Sequence, residues 1–510
     1  MNNNKSSHIG QNPRILIVTP EITYLPHGMG NMANTLRAKA GGMADVSASL
    51  VSALFELGAD VHVALPHYRQ MFHVDVAHLI SEELRVYKSK LPDDRLHLAE
   101  DRIFYYRDAV YGDQEEENKK IALAFQREVI NNIIPSVKPD LIHCNDWMTG
   151  LIPAMARRLS IPCLFTLHNI HTSRVTLARI EDAGIDPIEF WRYLFFVNMP
   201  GTYDETRYWN PVDLLSSGIF AAHFINTVSP TFLHEVVDGK HDFIPAEIRA
   251  ELAHKMAAGC ATGILNAPDP GFNPETDAAI ARRYTPATHA EGKRENKRAF
   301  QEKLGLLRDE RAPLLFWPSR LDPIQKGCQL MAHILYDVVS SYWDDGLQIA
   351  FIANGSYQKP FHDIVRFHDF GNRVAVCDFD ENLSHLAYAA SDFILMPSLF
   401  EPCGLPQMIS AIYGSLPIAH DTGGLHDTVT PLDPAANTGN GFLFADYDPS
   451  ALRWAIDQAI AFYRQPAEVR AAQIERIMRA SSQQFTHSVN ARHYFKIYET
   501  MLRRPIVPHF

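Results

Sequence analysis

The residues best suited to chemistry in this sequence are a carboxylate, Glu401, in Pro397-Ser398-Leu399-Phe400-Glu401-Pro402-Cys403-Gly404-Leu405, and a glycine pair in Thr422-Gly423-Gly424-Leu425. Glu401 follows the apolar run Phe393-Ile394-Leu395-Met396 and precedes a helix-like segment. A strand-to-helix turn of this kind offers backbone N–H groups to phosphate or sugar oxygens, and glycine lets a ligand come close. The carboxylate adds what amides lack, a negative charge or a strong acceptor. Two cations, Arg320 in Ser319-Arg320-Leu321 and Lys326 in Gln325-Lys326-Gly327, follow another apolar run, Leu314-Leu315-Phe316-Trp317. They can neutralise phosphate oxygens and a departing diphosphate, a task that often falls to a metal ion. A solvated basic loop is the plain alternative.

Three further segments stand at the ends of expected strands in the first half. Lys39-Ala40-Gly41-Gly42-Met43-Ala44-Asp45-Val46 sets a lysine beside two glycines at a helix start, where cation, amides and helix dipole can jointly meet a diphosphate. His143-Cys144-Asn145-Asp146-Trp147 offers an acid and an aromatic ring, and Asp146 could equally cap a helix with Trp147 in the core. In Thr166-Leu167-His168-Asn169, His168 can donate a hydrogen bond to a substrate oxygen, or be a buried histidine bonded to backbone.

The elements that must position these groups alternate short apolar runs with helical-period segments, the pattern of a parallel sheet covered by helices. Ile15–Val18, Val61–Leu65, Leu141–His143 and Cys163–Thr166 are expected strands, and Met43–Leu57 an expected helix with Val46, Leu50, Val51, Leu54 and Leu57 at helical spacing. The pattern restarts at Leu314–Trp317 and continues through Gln348–Ile352, Val374–Val376 and Phe393–Met396. Between the halves, Asn266-Ala267-Pro268-Asp269-Pro270-Gly271 lies in a turn-rich stretch that predicts a hinge. The expected organisation is a disordered leader over 1–12, a Rossmann-like α/β domain over 13–262, a second over 263–487, and a C-terminal helix over 488–510 packing back on the first. Ligands of such folds bind at the carboxyl ends of the strands.

Composition narrows the function classes. The chain has 510 residues, more than a single core supports, and a formal net charge of −12, which argues against holding nucleic acid or an anionic membrane by bulk electrostatics. No run approaches the length of a membrane span, and the polar first dozen residues lack the apolar core of a signal peptide. The six cysteines form no C-x-x-C pair and are too sparse for a disulfide framework, which predicts a cytoplasmic protein. None of the 24 histidines sits in a metal-ligand spacing, so no metal site is expected.

Together and in order, Lys39–Val46, His143–Trp147, Thr166–Asn169, Thr227–Pro230, Arg320 with Lys326-Gly327, Pro397–Leu405, Thr422–Val429 and Thr438–Phe442 closely resemble the bacterial glycogen synthase and plant starch synthase family. The resemblance implies a GT-B fold of two Rossmann-like domains facing across a cleft, needing no cofactor. It implies transfer of glucose, with retention, from a nucleotide sugar (ADP-glucose) to the non-reducing 4-hydroxyl of an α-1,4-glucan. At matching positions it places Lys39, Gly41 and Gly42 near the donor diphosphate, Asp146, His168 and Asn169 near the reacting glucose, and Arg320 and Lys326 on the leaving diphosphate. Glu401 is placed beside the donor glucose, with the amides of Cys403, Gly404 and Leu405 on its hydroxyls and Thr422 and Gly423 on phosphate. The alternatives are a GT-B glucosyltransferase using UDP-glucose with another acceptor, and a glucan-binding relative without turnover.

Three places depart from the family pattern. The loop between Glu21 and Lys39 is long, the family's Tyr-Gln-Gly after His-Asn reads Ile170-His171-Thr172-Ser173 before an aromatic-rich segment, and Asn-Gly-Ile-Asp reads Asn266-Ala267-Pro268-Asp269. The first two lie on the expected acceptor side. None removes a charged group assigned to the chemistry.

Overall fold

The computed structural model describes residues 12–29, 36–72 and 95–507. The leader expected over 1–12 falls, apart from Asn12, outside the described residues, as does 30–35 of the long loop after Glu21. The chain forms two compact units: residues 1–228, 236–264 and 487–510 make the first, and 229–235 with 265–486 the second. The short piece 229–235 groups with the second unit although the chain on either side of it belongs to the first.

The first unit is built on a seven-stranded sheet in the order β3-β2-β1-β4-β5-β8-β9, with β1 Arg14–Val18, β2 Asp60–Pro66, β3 Leu96–Ala99, β4 Leu141–Asn145, β5 Cys163–Leu167, β8 Phe224–Thr227 and β9 Ala261–Gly263. Every pairing is parallel. A parallel sheet carries helices on its faces, so its strands are buried throughout, as in the continuous burial of Leu141–Asn145 and Cys163–Leu167. The aromatic-rich segment after β5 contributes a small antiparallel pair, β6 Arg174–Val175 with β7 Val212–Asp213. The helix Gly42–Glu56 buries Val46, Leu50, Val51 and Leu54 of the expected stripe, whereas Leu57 lies just past its end and is exposed. The last helix, His487–Leu502, belongs to this unit and is fixed there by Tyr498 Oη to His143 Nδ1 at 2.7 Å and by Asn226 Nδ2 donating to Tyr494 Oη at 3.0 Å.

The second unit repeats the plan with six strands in the order β12-β11-β10-β13-β14-β15: β10 Leu314–Trp317, β11 Gln348–Ile352, β12 Val374–Cys377, β13 Phe393–Met396, β14 Leu416–His420 and β15 Phe442–Phe444, again all parallel. Its core gathers Trp317, Leu335, Phe351, Leu395, Ile418 and Ile456. In each sheet the strand order reverses beside the first strand, between β1 and β4 and between β10 and β13. That reversal opens a crevice at the carboxyl ends, where open α/β sheets bind ligands.

Candidate active site

In the first unit, the residues after β1, β4 and β5 form one polar cluster at the reversal point. Asp146 follows β4 with φ 57° and ψ 179°, a conformation that costs an L-residue on the order of 1–3 kcal/mol. Its own N–H donates to Thr166 O at 3.0 Å, which holds the strained residue in place. The side chain does not cap the following turn. It accepts instead from the His168 N–H at 2.7 Å and from Asn169 Nδ2 at 3.0 Å, so the three expected site residues Asp146, His168 and Asn169 are brought together. Burial pushes the Asp146 carboxyl up to about 7 against these two hydrogen bonds. Trp147 is buried, as the plain reading had it.

Asn145 Nδ2 donates to Val18 O, so its Oδ1 is the acceptor that meets His168 Nε2 at 2.9 Å. Burial brings His168 down to about 3, so the ring is neutral with its proton on Nε2, leaving Nδ1 as an acceptor. The expected donor role thus belongs to a nitrogen already engaged with Asn145, and Nδ1 is suited to accept a hydrogen bond from a hydroxyl.

Lys39, Gly41 and Gly42 form the exposed entry to the helix Gly42–Glu56. Their geometry is set by Glu21, outside the motifs singled out from sequence, which accepts the amides of Ala40 and Gly41 at 2.5 and 3.0 Å. It is buried, and burial pushes its carboxyl up to about 7. Its place directly after β1 was the available signal. Lys39 Nζ pairs with Asp45 at 2.9 Å in the same helix. Tyr111 joins the cluster: burial, then the charges of Glu21 and Asp146, push its hydroxyl up.

In the second unit, Lys326 follows β10 and Glu401 follows β13, so the two stand on either side of the reversal point. They meet as an ion pair at 2.6 Å, with side chains only 11% and 8% exposed. Ser398 Oγ also donates to Glu401, at 3.1 Å. The two loops are knit by Leu399 N–H to Gln325 O at 2.8 Å. They touch closely at Gly327, with φ +73°, where a Cβ would lie 1.9 Å from Pro397 O. Arg320 is exposed and makes no ion pair or hydrogen bond with the described residues.

Beyond Glu401, Cys403, Gly404 and Leu405 lead into the helix Pro406–Ile412. Burial pushes the Cys403 thiol up to about 12, and its sulfur accepts the Asn266 N–H at 3.4 Å, so it is a packed thiol and no nucleophile. Thr422 and Gly423 open the helix Gly423–Thr428, and their Oγ1 and N–H donate to the carboxylate of Glu235. No local sequence signal marks Glu235, which stands 188 positions away from Gly423.

The two parallel sheets, each reversing its strand order beside the first strand, define a glycosyltransferase of the GT-B class. The family profile described as starch synthase catalytic domain matches residues 14–245, and that of glycosyl transferases group 1 matches 306–476. Among curated relatives, the glycogen synthase of Moorella thermoacetica is 33% identical, the match covering 96% of this chain and 97% of that one. The glycogen synthase of Bacillus subtilis is 30% identical, over 91% and 96%. The structure is similar to the catalytic domain of starch synthase IV from Arabidopsis thaliana bound to ADP and acarbose, with a TM-score of 0.77 and 26% identity over 97% of this chain and all of that one. A sucrose-phosphate synthase from Thermosynechococcus elongatus, at 16% identity and a TM-score of 0.57, shares the fold. The chain belongs to the glycogen synthase family.

Proposed function

We propose that this glycosyltransferase moves glucose from ADP-glucose to the 4-hydroxyl at the non-reducing end of an α-1,4-glucan, retaining the anomeric configuration. The buried Lys326–Glu401 ion pair is the observation that carries the reading, with Arg320 exposed on the same stretch after β10 and without an ion pair among the described residues. A diphosphate bound there draws on both cations, and the C1–oxygen bond breaks toward them as negative charge grows on the leaving group. As Lys326 turns to the diphosphate, the Glu401 carboxylate is released to support the positive charge developing on the sugar. The acceptor oxygen bonds to C1 from the side the diphosphate leaves, and its proton passes to the departing phosphate oxygen. Stabilising charge in a dry site does this work without a covalent intermediate.

Lys39 and the glycine amides beside it add diphosphate contacts in this scheme. Asp146 and Asn169 accept and donate to glucose hydroxyls, and His168 Nδ1 receives one. The amides of Gly404 and Leu405, with that of Cys403, face the donor sugar. The starch synthase IV neighbour, solved with ADP, supports the adenine nucleotide. We infer action in the cytoplasm: the six cysteines are all free, and no described helix is long and apolar enough to cross a membrane.

The test is to incubate the protein with ADP-glucose or UDP-glucose, with and without glycogen or a short maltooligosaccharide, following diphosphate release and chain growth. ADP release that depends on the glucan is expected. Preference for UDP-glucose would favour the other donor, suggested by the altered Ile170-His171-Thr172 segment. No turnover with either donor would sink the reading.

A further inference from the structure

The helix Gly423–Thr428 is gripped at two points by one short piece of chain. Thr231 and Glu235 stand four residues apart in the helix Pro230–Val237, so they share a face. At one point Ser229 Oγ, Thr231 N–H and Thr231 Oγ1 all donate to Asp427. At the other, both oxygens of Glu235 accept from Thr422 Oγ1, at 3.2 and 3.1 Å, and from the Gly423 N–H, at 3.1 Å each. Glu235 is only 3% exposed. It supplies the cap that Thr422 does not make for itself, and a carboxylate suits the positive end of a helix.

What this helix start touches is the Glu401 turn. The Gly424 N–H donates to Glu401 O at 2.9 Å. A Cβ on Gly423 would lie 2.1 Å from Glu401 O, and one on Gly424 2.0 Å from Cys403 O. The two glycines therefore let the backbone of residues 401–403 rest directly on the helix start. Gly423 also holds φ +46°, so its conformation depends on external support.

We propose that Glu235 is a positioning residue for Glu401: its buried carboxylate fixes Thr422 and Gly423, and the glycine pair passes that placement to the Glu401–Cys403 backbone. Lys326 and Ser398 orient the end of the Glu401 side chain, while Glu235 sets where that side chain starts. The significance for turnover rests on the function proposed above. The placement itself does not.

The test compares Glu235→Ala, Glu235→Gln and Glu235→Asp with Thr231→Val, which weakens the Asp427 grip alone. Gln keeps an acceptor for the Gly423 N–H and a polar group for the Thr422 hydroxyl, so its kcat stays within about threefold of the parent. Ala leaves both donors unmet and Asp is one methylene short, so each loses roughly 100-fold in kcat with donor KM changed less than threefold, the scale expected of a misplaced catalytic group. Thr231→Val lowers the melting temperature with much less loss of kcat.

Hydrogen exchange read by mass spectrometry on 398–405 and 422–428 gives a measure independent of turnover, and faster exchange is expected in Glu235→Asp and Glu235→Ala. Unchanged exchange in the folded variants overturns the placement, whatever the activity. A kcat loss in Thr231→Val equal to that in Glu235→Asp overturns the specific role in favour of general rigidity. Absence of turnover in the parent protein would count against the proposed function alone, and the exchange data would still decide the placement.

Discussion

At the scale of single residues, the molecule keeps charge where burial penalises it. Lys326 and Glu401 are each nearly inaccessible, and removing one partner strands the other. Lys326→Ala is expected to cost about 3–5 kcal/mol of stability as well as most of the activity. A Lys326→Met, Glu401→Gln double variant should regain much of the melting temperature and none of the turnover, which thermal melts and diphosphate release read separately. Glu21 and Asp146 carry the opposite signature, both pushed up to about 7, mainly by burial. A raised carboxyl means the folded state holds protons that the unfolded chain has released. Their contribution is therefore fully present below pH of about 4 and is lost as pH rises through about 7. Asp146→Asn should flatten this fall by up to about 1.4 kcal/mol per pH unit, measured by urea unfolding between pH 5 and 8. An unchanged slope would contradict the burial-driven shift.

At the scale of elements, two glycines with nearly the same backbone separate strain from crowding. Gly305, φ +68°, has open space where a Cβ would go, whereas at Gly327, φ +73°, the Cβ would meet Pro397 O at 1.9 Å. Gly305→Ala should cost about 1 kcal/mol and leave kcat unchanged. Gly327→Ala should cost more and lose activity, because the Lys326 loop must move away from the Glu401 turn. Melting curves and turnover on the two variants check this. The strands before these loops were legible from sequence because buried parallel strands read as apolar runs, as Leu314–Trp317 and Phe393–Met396 do. The charged residues after them were legible by type and position. What sequence could not supply was partnership across distance: Glu21 on the Ala40 and Gly41 amides, and Glu235 on Thr422 and Gly423. The hydrogen bond that turns His168 into an acceptor was equally hidden, since it depends on which way the Asn145 amide faces.

At the scale of the whole molecule, sequence order and structural membership diverge. The last helix closes the first unit even though the entire second unit precedes it in the chain. Its two tyrosines serve groups that burial leaves few alternatives. His143 lies inside β4 and is brought down to about 3 by burial, so it is neutral and needs neutral partners, which Tyr498 Oη and Thr166 Oγ1 supply at 2.7 Å each. Asn226, inside β8, uses Tyr494. At the other face, Ser49 Oγ of the helix Gly42–Glu56 meets His487 Nε2 at 2.9 Å. Ending the chain at residue 486 thus takes the tyrosine hydroxyls from His143 and Asn226, at a cost of about 1–3 kcal/mol each, leaves them only Thr166 Oγ1, and exposes the apolar surface that Tyr494, Ile497 and Tyr498 cover. The expected outcome is a first unit that melts well below the second, seen by calorimetry as one transition splitting into two. Tyr498→Phe, which removes one hydroxyl and keeps the ring, should reproduce a small part of that shift. A truncated chain melting at the parent temperature would mean that the sheet of the first unit is stable without its final helix.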